Sequence, residues 1–309
     1  MRQAILLPVF NRPDTLRQCL KAVCASKGIE DYDLFGMVDV TNEGANGECV
    51  QLLKDAGFNA VVRPQPYGLG LNIQSGLHDL FDMEFERVTV LEDDIVVSDT
   101  ELLLQNRMLD WGAKYDNIGI TTVHRTNLGT VEEKAYNLDI VLPCNCAWGV
   151  YTIPRTTWDV VGPVSRTYCE EFLTAGDNAG WLYLHRDHTA IRKFFIELLK
   201  GAVTTANPTP RCSALPPDHP GEWPTVERLI TQLSLPNQVA TGQDAMTMIA
   251  LVTAGLAKVS TWVNRSIDIG PAGTTMRPNR YKELKLDTAR LDLFPEDESM
   301  TEFTLEQTL

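Results

Sequence analysis

Along the first hundred residues, short apolar runs alternate with stretches where apolar side chains recur every three or four positions. Ala4–Val9 is an apolar strand pattern halted at Pro8 and the polar turn Asn11-Arg-Pro-Asp14. Leu16, Cys19, Leu20 and Val23 then follow the i, i+3, i+4, i+7 spacing of one helix face, with Asp14 as candidate N-cap and Gly28 as terminator. Leu34–Val40 and Asn59–Val62 read as the next strands, separated by a polar loop through Asn46 and a short helix ending before Gly57. Ile73, Leu77, Leu80 and Phe81 mark a helix ahead of a fourth strand at 87–91. This β-α-β-α-β-α-β order predicts an α/β fold with a doubly wound, mainly parallel sheet.

The pattern then loosens. A helix from about Thr100 to Tyr115, capped by Ser98 or Asp99, leads to a strand-like stretch at Asn117–Val123. Cys146–Ile153 reads as a strand, and Pro154 is well placed to open a helix through Trp158. His188–Leu199 is amphipathic, whereas Asn207–Pro224 holds six prolines and must be largely irregular. Thr225 can cap a helix bearing Val226, Leu229, Ile230 and Leu233; Gly242–Ala254 is a further helix, ended by Gly255 before a strand at 257–263. Residues 1–282 therefore read as one domain with halves at 1–125 and 126–282, a helical and proline-rich insertion occupying about 175–238. Residues 283–309 follow as an acidic C-terminal tail, either a surface arm or disordered.

Composition narrows the functional classes. The 309 residues are 44% hydrophobic, enough for a substantial core, and carry a formal charge of −14. The tail contributes eight acids against two bases. Such a field opposes a polyanionic partner, so direct nucleic-acid binding is disfavoured, although Arg186, Arg192, Lys193, Lys200 and Arg211 could form a local basic stripe. No charged-then-apolar leader opens the chain, and the weakly polar run Ala245–Val259 is too short to span a bilayer. Seven cysteines are an odd count, and Cys144-Asn-Cys146 lacks the two-residue gap of a common metal pair. Reduced thiols in a cytoplasmic protein are expected, in preference to a disulfide or zinc site.

The chemistry concentrates in Arg87-Val-Thr-Val-Leu-Glu-Asp-Asp-Ile-Val-Val-Ser98. A buried strand here ends in Glu92, Asp93 and Asp94, three carboxylates whose repulsion and lost hydration cost several kcal/mol unless compensated. A divalent cation would compensate, and hard oxygen ligands suit Mn²⁺ or Mg²⁺. Acids capping the next helix from a solvated turn are the plainer reading. The loop Pro8-Val-Phe-Asn-Arg-Pro13 suits a nucleotide, with Phe10 for stacking and Arg12 as a cationic fork, or is an ordinary strand-to-helix turn. Asp39 can accept from a base imide or sit in a solvated loop. Asp244, opening an apolar helix, is either its cap or a carboxylate held ready as a base. Tyr67-Gly-Leu-Gly-Leu-Asn72 fails as a dinucleotide fingerprint, because Ile73 stands at the third glycine. His124, His185 and His188 form no metal-ligand spacing, and no serine sits in a nucleophile elbow.

In order and spacing these pieces resemble the inverting N-acetylglucosaminyltransferase I type of GT-A glycosyltransferase, with its Glu-Asp-Asp metal motif. The resemblance rests on Phe10–Leu20, Asp39, Leu91–Asp99, Cys146–Tyr151 with Trp158, Asp244, and Ile269-Gly-Pro-Ala-Gly-Thr-Thr275 as a late loop over the donor. It covers roughly residues 1–163 and 240–277, while 175–238 match nothing in the family and Met276 replaces a frequent histidine. It implies a nucleotide-sugar-binding half at 1–125, contacting the donor (a UDP-sugar) through Pro8, Phe10, Asn11, Arg12, Asp39, Asn72, Glu92 and Asp93. Asp94 then binds Mn²⁺ or Mg²⁺, Trp148 and Gly149 shape the acceptor side of the second half, and Asp244 is the catalytic base. The implied reaction transfers a hexosyl or N-acetylhexosaminyl unit to a hydroxyl of a glycan, small molecule or protein. A sugar-nucleotide pyrophosphorylase would show a glycine-rich loop with Arg and Lys after the first strand, which is missing here. A non-catalytic carbohydrate-binding relative is opposed by the intact acids.

Overall fold

The computed structural model describes residues 1–124, 129–144, 149–173, 189–202, 226–234, 242–270 and 291–306. The expected alternation is present. Strands β1 (Gln3–Val9), β2 (Tyr32–Val38), β3 (Asn59–Val62) and β4 (Arg87–Leu91) are linked by helices α1 (Pro13–Cys24), α2 (Gly47–Asp55) and α3 (Gly68–Asp82). β1 pairs in parallel with both β2 and β4, and β2 in parallel with β3. β1 is apolar from Ala4 to Val9 because both its faces are covered. Ala4 and Leu6 join a layer with Ile73 and Leu77 of α3, while Ile5, Leu7 and Val9 meet Leu16 and Cys19 of α1.

The caps differ in detail from the sequence expectation. Arg12 is at the N-cap position of α1, Pro13 opens it, and Asp14 lies in its first turn. Asn46 caps α2, accepting from the Glu48 and Cys49 N–H groups. Thr100, not Ser98 or Asp99, precedes α4 (Glu101–Gly112).

The second half extends the sheet and makes it mixed. β6 (Ile118–Thr122), α5 (Val131–Ala135), β7 (Ile140–Pro143), β8 (Val150–Pro154), α6 (Arg155–Phe172), α7 (Thr189–Lys200), α8 (Val226–Ser234), α9 (Gln243–Thr253) and β9 (Ala257–Thr261) follow in turn. β8 runs antiparallel between β4 and β6, β9 is parallel to β6, and β7 is antiparallel to β9. α6, α7, α8 and α9 share the apolar layer on the α3 side of the sheet. The helix opened at Pro154 runs well past Trp158, because Val161, Ser165 and Tyr168 keep its buried stripe going.

Two pairings lay outside the sequence reading. β5 (Ile95–Val97), directly after the acids, forms an antiparallel ribbon with β10 (Ser266–Asp268). β11 (Thr304–Leu305) adds to the main sheet in parallel with β7. The second pairing corrects the picture of a free tail, since residues 291–306 bury Phe294, Phe303 and Asp297. Arg265, fully buried, donates through Nε and Nη2 to the Asp297 carboxylate at 3.1 and 2.7 Å. Nη1 and the second N–H of Nη2 reach the carbonyls of Val263 and Leu138. A charge is tolerated at such depth only when paired and hydrogen-bonded, and four of the five Arg265 N–H groups have such partners. Among the described residues no helix is long and apolar enough to cross a membrane.

Candidate functional site

The β1–β4 ladder ends at Leu6 and Val90, and beyond it the two chains part. Pro8 and Val9 continue β1 alongside β2, and the loop with Phe10, Asn11 and Arg12 faces Glu92-Asp-Asp94 at the carboxyl end of β4. A crevice at this end of adjacent parallel strands is where open α/β sheets gather ligands. Pro8 is buried in the sheet, whereas Phe10 is 41% exposed and Asn11 is exposed at the rim.

Arg12 is forked across the acids. Its Nη1 lies 2.6 Å from Asp94 Oδ2, and its Nη2 bonds Asp93 Oδ1. Burial alone would lower the pKa of the guanidinium, but Asp93 and Asp94 together raise it further above its usual value. Asp93 is pushed up to about 6 by burial, against the stabilising pull of Arg12 and the Phe10 N–H, with Asp94 adding repulsion. Its second oxygen, Oδ2, is buried without a hydrogen-bond partner. Glu92 is held well above the usual carboxylate range by burial first, then by the charges of Asp94, Asp244 and Asp93.

Asp244 belongs to the same cluster. It lies in the first turn of α9, where Gly242 occupies the N-cap position and no side chain supplies a cap bond, so the capping reading of Asp244 is not met. Burial pushes its carboxyl up to about 6, and the charge of Lys258 pulls the other way. Lys258 is a buried lysine of β9 whose Nζ lies 5.7 Å from the Tyr151 ring centroid. Tyr151 feels burial first, then the charges of Asp244 and Glu92, all raising its phenol. Asp244, Glu92, Tyr151 and Lys258 therefore form one electrostatic unit at the mouth of β4 and β8. A carboxyl near 6 is mostly ionised at neutral pH yet basic enough to take a proton, as general-base work requires.

The β5–β10 ribbon brings in a fifth acid, Asp268, absent from the sequence reading. Asp268 pairs in register with Ile95, and the Ile269 N–H donates to the Asp94 carbonyl at 2.8 Å. Burial and then the charge of Asp94 push the Asp268 carboxyl up to about 6. Gly270 is required by contact, because a Cβ there would fall 2.3 Å from Asp94 Oδ2. Of the expected late loop 269–275, only these first two residues are described, and Trp148 also lies outside the described residues.

Other expected contact residues are engaged within the protein. The Asp39 carboxylate accepts the N–H groups of Val40, Tyr67 and Gly68 at 2.8–2.9 Å. It organises the turn into α3, where Gly68 has φ +73°, a conformation that favours glycine. Asn72 is corrected. Its Oδ1 accepts from Arg63 Nε at 2.7 Å and its Nδ2 donates to the Met37 carbonyl at 2.8 Å, so a buried amide already paired at both ends braces α3. The Gly149 carbonyl accepts the Glu92 N–H at 2.9 Å, extending the β4–β8 pairing to the first acid, and a Cβ there would press on Ile95 at 3.0 Å. His124 is half-buried and pushed down to about 3 by burial and Lys258, so it stays neutral and fits neither acid nor base work at neutral pH.

No group of three or more His, Cys, Asp or Glu side chains forms a ready metal cage among the described residues. A hard dication that completes its shell with water and phosphate oxygens needs only one or two carboxylates. The orphaned, buried Oδ2 of Asp93 and the carboxylate of Asp94 fit that kind of site.

No protein-family model matches the chain, and no curated protein does. Parts of solved structures are similar to it. S. aureus TarS 1-349 in complex with UDP-GlcNAc is 10% identical with a TM-score of 0.34, over 42% of this chain and 36% of that one. A second structure of TarS 1-349 gives 9% identity and a TM-score of 0.43 over 64% of this chain and 66% of that one. Glucosyl-3-phosphoglycerate synthase from Mycobacterium tuberculosis, in complex with Mn²⁺, UDP-glucose and phosphoglyceric acid, gives 16% identity and a TM-score of 0.36, over 58% and 67%. The chain spans 36%, 22% and 57% of the first three chains it matches, so the likeness is partial. The functional conclusion rests on the site itself.

Proposed function

We propose that the chain is a metal-dependent glycosyltransferase of GT-A type that moves a sugar from a nucleotide-sugar donor, a UDP-sugar, to an acceptor hydroxyl with inversion. The observation that carries this reading is the convergence of Arg12, Asp93, Asp94 and Asp244 with Glu92 at the carboxyl ends of β1 and β4. Arg12 and the first turn of α1 offer a cationic, amide-rich wall to a diphosphate. Asp94 would hold Mn²⁺ or Mg²⁺, with Asp93 beside it. That ion supplies charge neutralisation for the departing nucleoside diphosphate. Glu92, half-buried and held above the usual carboxylate range, can donate a hydrogen bond to a sugar hydroxyl when protonated.

Asp244 takes the proton of the acceptor hydroxyl as that oxygen bonds to the anomeric carbon, while the bond to the diphosphate breaks on the opposite face. One displacement inverts the configuration. Lys258 favours the ionised form of Asp244, and the bulk of Tyr151 keeps the pair dry. The acceptor is a glycan, a small molecule or a protein side chain.

Thermal stabilisation across a panel of nucleotide sugars, with and without Mn²⁺, tests fold, metal and donor together. One or more UDP-sugars should raise the melting temperature only when Mn²⁺ is present, and slow release of UDP should stop on adding EDTA. A panel in which no nucleotide or nucleotide sugar stabilises the protein overturns the assignment.

A further inference from the structure

We propose that Arg12 makes capture of the cation conditional on the diphosphate: its guanidinium occupies Asp94 until an incoming diphosphate draws it away. This rests on the donor-site reading above and adds an order to it. Arg12 Nη1 is 2.6 Å from Asp94 Oδ2, and the other arm of the same fork holds Asp93. The two acids are nearly enclosed, with side chains 4% and 13% exposed, while that of Arg12 is 32% exposed and has room to leave. On its other side Asp94 Oδ2 abuts Gly270, where even a Cβ would sit 2.3 Å away. A dication approaching that oxygen therefore meets a fixed positive charge, and the two repel within a poorly hydrated crevice.

A diphosphate changes the balance. Planar guanidinium groups take phosphate oxygens in bidentate fashion, and the terminal diphosphate of UDP offers more negative charge than the two carboxylates that the fork bridges. Arg12 stands at the N-cap position of α1, a twelve-residue helix whose first N–H groups receive no side-chain cap. A short swing would bring the guanidinium to a phosphate lying against those amides, freeing Asp94 for the cation. Cation and diphosphate then assist each other, and by linkage the assistance is reciprocal.

The test is direct Mn²⁺ binding to the full chain, followed by electron paramagnetic resonance of free Mn²⁺, with and without UDP. Wild-type protein should bind Mn²⁺ at least about tenfold more tightly with UDP than alone, within the usual range of such coupling. Arg12→Gln should bind Mn²⁺ alone at least about tenfold more tightly than wild type, and UDP should then add little. Arg12→Lys, which keeps the charge without the fork, should fall between the two and serves if the glutamine variant does not fold. Equal affinity of wild type and both variants for Mn²⁺ alone, with UDP still helping, overturns the latch and leaves the donor site standing. Absence of Mn²⁺ binding even with UDP, or binding undiminished in Asp94→Ala, overturns both.

Discussion

Asp297→Ala removes the carboxylate bonded to the fully buried Arg265, and its cost follows from the contacts. Arg265 loses the bonds from Nε and Nη2, keeps two backbone carbonyls, and stays at 0% exposure with no counter-charge bonded to it. Breaking one side of a buried ion pair costs about 3–5 kcal/mol, a large share of the roughly 5–15 kcal/mol that holds a domain together. The segment 291–306 loses an anchor at the same time, and Arg107 keeps only its bonds to the carbonyls of Asp297, Glu298 and Met300. Urea unfolding followed by far-ultraviolet circular dichroism reads the loss as a fall in midpoint at constant slope. The double variant Arg265→Met/Asp297→Leu fills the same volume without charge and should recover most of the loss, because an apolar replacement of a buried pair is often neutral or better. A loss below about 1 kcal/mol for Asp297→Ala, or a double variant no better than the single, would show that the pair is not the anchor described here.

Asp94→Ala should abolish Mn²⁺-dependent UDP binding, measured by calorimetry; unchanged affinity counts against Asp94 as the ligand. Asp244→Asn should spare donor binding and lower turnover by at least ~100-fold, the usual scale of general-base loss. In wild-type protein, UDP release should rise with pH through about 6, where Asp244 becomes ionised, and a profile flat from pH 5 to 7 argues against that base. Glu101, fully buried with neither carboxyl oxygen partnered, is pushed up to about 8 by burial. Its folded form binds the proton more tightly than the unfolded chain, so stability should be full at acid pH and fall as pH rises towards about 8, by up to ~1.4 kcal/mol per pH unit. Glu101→Gln should flatten that slope in unfolding measured from pH 5 to 9.

The elements from β1 to β4 were legible because their signals are local: apolar runs, a 3.6-residue stripe and the glycine that ends the short second helix. The acid triplet was legible for the same reason, since three carboxylates ending an apolar strand demand compensation. Pairings between distant short strands left no such trace. β5 and β10 have three residues each and β11 two, too short for any periodicity to name a partner. Asp268 went unnoticed because only the ribbon brings it beside Asp94. Lys258 was visible as a charge inside an apolar strand, a signal that gained meaning only when α9 set Asp244 near it. Asn72 looked like a donor contact in its glycine-rich loop, yet its amide answers a neighbour, Arg63, that periodicity cannot position. The tail read as free because its eight acids suggest solvation, whereas one of them, Asp297, is the partner of Arg265.

The ribbon joining Ile95–Val97 to Ser266–Asp268 has a practical corollary for engineering. On the proposed reading, the donor site is not a cassette encoded by the first hundred positions, because its acids are stitched to a stretch encoded far downstream. Grafting the early segment into another scaffold would deliver the acids without the seam that orients them. Campaigns to alter sugar preference should therefore diversify both sides of that seam together, keeping Gly270 invariant so that Asp94 retains its seat.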